Sequence, residues 1–142
     1  MIAYSGPFWP VFLHVLGAMT LVGAMLTVAL LSLTGSARPA APVPARSAFW
    51  TLSAVAIPSW LVALLAGHWT LADESYYDRA GFITIGSIVL EPGVIVLLLT
   101  IGAAYWWMRS GAVVAGRIVA GLSCLYLALL ALAWLAMSGK WS

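Results

Sequence analysis

The sequence predicts an all-α membrane protein, a four-helix antiparallel transmembrane bundle. Three observations carry this. The 142 residues are 64% hydrophobic and 7% charged, with mean hydropathy +1.08, whereas a soluble domain is about 45–50% apolar and about 25% charged. A 15.0 kDa chain must expose much of its surface, and six basic plus four acidic residues cannot cover it. Finally, four stretches reach the length of about 20 apolar residues that crosses a bilayer. A soluble enzyme, a nucleic-acid binder and a disordered chain are excluded on these grounds. The net charge of +2 is too sparsely carried to form a basic patch. One cysteine, Cys124, excludes an internal disulfide and a cysteine zinc site.

The first span runs from about Phe8 to Leu33 without a charge. It is too long for the apolar region of a signal peptide, and Met1–Pro7 carries no Lys or Arg, so it is read as a retained helix. Gly35–Ser47 follows as a loop, its prolines stopping the first helix. The second span runs from about Phe49 to Leu71, with Pro58 near its middle, where a missing N–H should kink it. Trp60 then lies deep in the membrane and needs a partner for its indole N–H. The third span lies between Phe82 and Met108, and the fourth runs from about Ile118 to Met137. The chain is therefore expected to be a single transmembrane domain with short loops.

Arg38 and Arg46 lie in the first loop, and Arg109 and Arg117 flank the third. Arg79, in the acidic second loop, and Lys140 oppose them. This bias places loops one and three in the cytoplasm and both termini outside, in a bacterial cytoplasmic membrane. Trp9, Trp69, Tyr76, Tyr77 and Trp141 then mark the outer interface, and Trp50, Tyr105, Trp106 and Trp107 the inner one. Cys124 is expected to be a small buried hydrophobe.

Ionisable residues at membrane depth are functional candidates. They are His14, His68 and Glu91. At 1.5 Å per residue, His14 lies roughly 9 Å and His68 roughly 6 Å inside the outer ends of neighbouring antiparallel helices. Two imidazoles at matched depth could be the axial ligands of a b-type haem. Gly17 and Gly67, beside the two histidines, would let the macrocycle approach the backbone, and Met19 and Met25 could line its pocket. The alternative is that each histidine hydrogen-bonds a backbone carbonyl or interfacial water. Glu91 has two readings. It caps a helix beginning at Pro92, or it lies within a helix starting near Phe82 that Pro92 kinks. The second is slightly favoured, and there Glu91 could orient a histidine or hold a proton. The acidic, tyrosine-bearing segment Asp73–Arg79 is a solvated loop or a contact for a partner, a quinone headgroup or a cation. Gly116 with Ala120, and Gly17 with Leu21 and Ala24, supply small faces for close helix packing.

Leu13-His-Val-Leu-Gly-Ala18, followed by Gly23, resembles the first helix of the copper-resistance D-type proteins, of the HemJ-type protoporphyrinogen oxidases and of related integral membrane families. The resemblance implies that His14 corresponds to their first-helix histidine, a proposed ligand in the haem-using members. No span-embedded Lys or Arg is present to meet a tetrapyrrole carboxylate, which separates this chain from the oxidases.

The leading expectation is a small haem-b-binding subunit for electron transfer, with His14 and His68 as axial ligands and Glu91 as a proton-handling neighbour. It is expected to be a redox subunit rather than a stand-alone enzyme, with no catalytic residues assigned. Its partners would be the lipid bilayer and other membrane subunits or a second copy, not nucleic acid. Two further readings are a non-catalytic accessory subunit of a larger membrane complex and a proton- or cation-coupled carrier built on His14, His68 and Glu91.

Overall fold

The structure, a computed structural model, describes residues 8–36, 42–74 and 86–138. All the regular structure among these residues is helical: α1 (Phe8–Gly35), α2 (Pro42–Thr51), a π-helical turn (Leu52–Ala56), α3 (Ile57–Glu74), α4 (residues 86–90), α5 (Gly93–Ser110) and α6 (Val113–Ser138). These join into four segments long and apolar enough to cross a membrane: Trp9–Gly35, Pro42–Ala72, Gly86–Ser110 and Val113–Ala136. The protein is an all-α four-helix bundle built for a lipid environment.

Span one follows its expected limits. Buried residues of this helix, among them Gly17, Leu21, Ala24, Val28, Ser32 and Gly35, recur at three- and four-residue intervals and form one stripe, which Met25 and Ala29 widen. Met19, expected to line a pocket, falls off that stripe and is 70% exposed.

The second span starts at Pro42, not Phe49, so residues 42–47 are helix rather than loop. Proline is at home in a first turn, where the N–H it lacks would have no partner. Pro44 also packs on α1: a Cβ at Gly35 would lie 2.7 Å from its Cβ. Pro58 is accommodated by the π-helical turn before it. An α-helical carbonyl four residues back would meet the proline ring. The wider turn, in which the Ile57 N–H reaches the Leu52 carbonyl, shifts the register.

Spans three and four begin and end on backbone rules. The Gly111 φ of +65° closes α5, its N–H bonding the Trp107 carbonyl at 2.8 Å. Helix α6 starts at Val113 rather than Ile118. Arg117 is exposed within its first turns, as expected of a side chain that reaches an interface.

Helix α1 packs against α3 and α6, α5 packs against α6, and α2 lies against both α1 and α5. The core combines Leu21, Met25, Val28, Leu52, Leu97, Val119 and Tyr126. Trp107, expected in an interfacial belt, is instead buried against Gly116. Trp9, Trp50, Trp69, Tyr105 and Trp106 are exposed, as belt residues should be. Cys124 is exposed on the bundle surface, contrary to the expectation of burial.

Candidate functional site

Helix α1 meets α3 with almost no side chain between them. A Cβ at Gly17 would lie 2.8 Å from the Ala63 nitrogen and 2.9 Å from the Ser59 carbonyl oxygen. Both are backbone atoms, so the contact depends on glycine. Ser59, Ala63 and Ala66 form the buried small-residue face of α3 that receives it.

One turn along, the interface is polar. His14 Nδ1 lies 2.7 Å from the Ala63 carbonyl oxygen. A carbonyl only accepts, so Nδ1 carries the hydrogen, and in the neutral form of the ring Nε2 is the nitrogen with the lone pair. Gly67 makes this bond possible. It stands four residues beyond Ala63, above the carbonyl, and a Cβ there would lie 3.0 Å from Nδ1 and 3.2 Å from Cε1 of the ring. The side chain that glycine omits is replaced by the imidazole.

His68, the next residue, serves a different neighbour. Its Nε2 lies 3.3 Å from Glu91 Oε1, and both side chains are about half exposed. Glu91 stands in a break of span three. Helix α4 ends at residue 90, Glu91 and Pro92 form a turn, and α5 begins at Gly93. Both readings of Glu91 have a counterpart here: residues 86–90 are helical, so Glu91 lies inside the apolar segment Gly86–Ser110, while α5 begins at Gly93 with Pro92 at its N-cap; residues 82–85 lie outside the described residues.

The physical cause of the break is Pro92. It cannot donate to the carbonyl of residue 88. The following amides turn to nearer acceptors, Val94 to the Glu91 carbonyl at 3.4 Å and Ile95 to the Pro92 carbonyl at 2.9 Å. The Leu90 carbonyl, which Val94 would serve in a continuous helix, is taken by Trp60 Nε1 at 2.7 Å. An interrupted helix is tolerated in a membrane when a neighbour satisfies the freed backbone groups, and Trp60 does so. Two side chains of the second span, Trp60 and His68, thus fasten it to adjacent residues of the third.

The candidate residues therefore gather at one end of the bundle, but not around one point. His14 ties span one to span two, and His68 with Glu91 ties span two to span three. A macrocycle between α1 and α3 does not fit this arrangement. The Gly17 face is covered by the α3 backbone, the Gly67 face by the His14 ring, and His68 Nε2 faces Glu91. His14 alone has the form of a ligand, with Nδ1–H anchored and Nε2 bearing a lone pair. Among the described residues no three His, Cys, Asp or Glu side chains cluster as metal ligands would. Helix α3 runs to Glu74; residues 75–80 of the acidic segment, including Tyr76, Tyr77 and Arg79, lie outside the described residues, as do Lys140 and Trp141.

Two features escaped the sequence reading. The need of Trp60 for a partner was legible, but not the Leu90 carbonyl that meets it. Tyr126 and Ser123, buried on α6, carry hydroxyls with no hydrogen-bond partner. The available signal was polar residues three apart in an otherwise apolar span. No family model matches the chain, and neither does a curated protein or a solved structure.

Proposed function

We propose that this chain is a proton-responsive protein of the bacterial cytoplasmic membrane, a small carrier or a subunit of one, in which His68 and Glu91 form the proton-binding element. The observation that supports this is their contact at a helix break. Of the common side chains, imidazole is the one whose ordinary titration falls between pH 5 and 8, and here it faces a carboxylate at 3.3 Å. The carboxylate sits at the turn where the ladder of span three is interrupted by Pro92, so a change in its charge acts at a break in the helix. Protonated His68 and ionised Glu91 attract and hold spans two and three together; loss of the charge on either weakens that tie. The excess of Arg38, Arg46, Arg109 and Arg117 over Arg79 and Lys140 supports an N-out, C-out orientation, with this pair at the outer face. Four spans are few for a carrier, so it would act with a second copy or with other membrane subunits.

The test is proton flux in vesicles containing the purified protein and a trapped pH indicator. Dissipation of an imposed pH gradient should be lost in Glu91→Gln and in His68→Ala while helical content is retained. Equal dissipation by wild type and Glu91→Gln refutes the proposal and leaves a packing role in a larger membrane assembly, to be sought by pull-down from native membranes.

The His14 geometry favours a second reading, a b-type haem with His14 as an axial ligand. His68 could supply the other nitrogen only after leaving Glu91, and the macrocycle would have to lie outside the α1–α3 contact. A bound haem would supply one-electron transfer. Reduced-minus-oxidised absorption spectra of protein expressed with ample haem decide the matter. A sharp α-band lost in His14→Ala supports haem, and a colourless folded protein rejects it.

A further inference from the structure

We infer that Ser123 and Tyr126 form an internal binding site for water beside the break in span three. Both residues are fully buried, and the Ser123 Oγ and Tyr126 Oη atoms lack a hydrogen-bond partner. They stand three residues apart on α6 and so share a face. That face turns toward α5: a Cβ at Gly93 would lie 2.7 Å from Tyr126 Cε2 and 2.9 Å from its Oη. The hydroxyl end of the phenol therefore packs against the first residue after the Glu91–Pro92 turn, where glycine admits it.

Other hydroxyls in the spans show what is unusual here. Thr20, Thr27, Ser32, Thr34, Thr70 and Thr100 each donate to the carbonyl four residues earlier. Ser123 has the same option and does not use it. A buried hydroxyl left dry forfeits about 1–3 kcal/mol, and two on adjacent turns would double that loss within the core. A phenylalanine and an alanine would pack there without it.

The donor set selects the occupant. The side chains offer neutral hydroxyls, which both donate and accept, and Pro92 leaves the carbonyl of residue 88 without its amide partner. Glu91 is directed to His68. Two hydroxyls, each able to donate and to accept, give a water the minimum of two polar partners it needs. They give a bare cation too few oxygens and no charge. The site stands on these contacts and is independent of the proposed proton exchange at Glu91.

Infrared spectra of the purified protein, recorded in ordinary water and in water labelled with heavy oxygen, test this. Wild type should show an isotope-shifted O–H stretch from a bound internal water, lost in Tyr126→Phe and weakened in Ser123→Ala. In the same preparations Tyr126→Phe should unfold at a lower fraction of sodium dodecyl sulfate than wild type, because it removes a satisfied hydrogen bond. Absence of the isotope-sensitive band from wild type overturns the inference. So does a Tyr126→Phe variant that unfolds at an equal or higher detergent fraction, since removing a dry hydroxyl relieves its burial. The wild-type spectrum decides even where a variant fails to fold.

Discussion

Replacing Gly17 by alanine is expected to destabilise the bundle, although alanine is the better helix former. The added Cβ would lie 2.8 Å from the Ala63 nitrogen, where ordinary contact begins at 3.4 Å, so α1 and α3 must part by the difference, about 0.6 Å. Neither atom it meets is a side chain that can swing aside. The same displacement would stretch the His14–Ala63 bond from 2.7 Å to about 3.3 Å, past the usual upper limit of about 3.2 Å. Overpacking costs about 1–3 kcal/mol. An interhelical hydrogen bond in a membrane contributes about 0.6 kcal/mol, and the propensity of alanine returns about 1 kcal/mol. The expected net loss is about 0.6–2.6 kcal/mol. Gly23 supplies the control. It lies on the same helix, is exposed and has nothing within 4 Å of its added Cβ, so Gly23→Ala should be neutral or stabilising. The assay is equilibrium unfolding in mixed micelles of mild detergent and sodium dodecyl sulfate, followed by circular dichroism. If Gly17→Ala resists unfolding as well as Gly23→Ala, the backbone contact between α1 and α3 does not hold the fold, and the reasoning fails.

Further outcomes follow from the same contacts. Gly67→Ala should push the His14 ring aside by a few tenths of an ångström, and the His14 Nδ1–H resonance in nitrogen-edited NMR should shift in the direction of a weaker hydrogen bond to the Ala63 carbonyl. Trp60→Phe should destabilise by about 0.5–1.5 kcal/mol, the net contribution of a hydrogen bond such as the part-buried one to the Leu90 carbonyl; unfolding in mixed micelles would measure it, and an unchanged midpoint would remove Trp60 from the account of the helix break. Cys124→Ala should leave the unfolding midpoint in mixed micelles nearly unchanged, because the thiol is exposed on the bundle surface and packs in no core. A marked loss of stability would refute that placement.

The sequence by itself determined the class and the span count, because an apolar run of membrane length has one cheap conformation in lipid, a helix that satisfies its own backbone. It also marked His14, His68 and Glu91, since ionisable groups in such runs stand out by their cost. Pro58 and Pro92 were legible as disturbances for the same reason, by the hydrogen they lack. Boundaries were less legible. Pro42 and Pro44 read as helix breakers, yet in a first turn they cost nothing, and the second span began seven residues earlier than expected. What only the tertiary structure decided was which group each polar atom meets. Gly17 and Gly67 were read as space for a cofactor, and that space is occupied by the α3 backbone and the His14 ring. Matched depth suggested that the two histidines share a target, but depth is a coordinate along the helix axis and says nothing of direction around it. Adjacent residues on a helix point about 100° apart. Gly67 therefore turns to span one, while His68, the next residue, turns to Glu91 on span three.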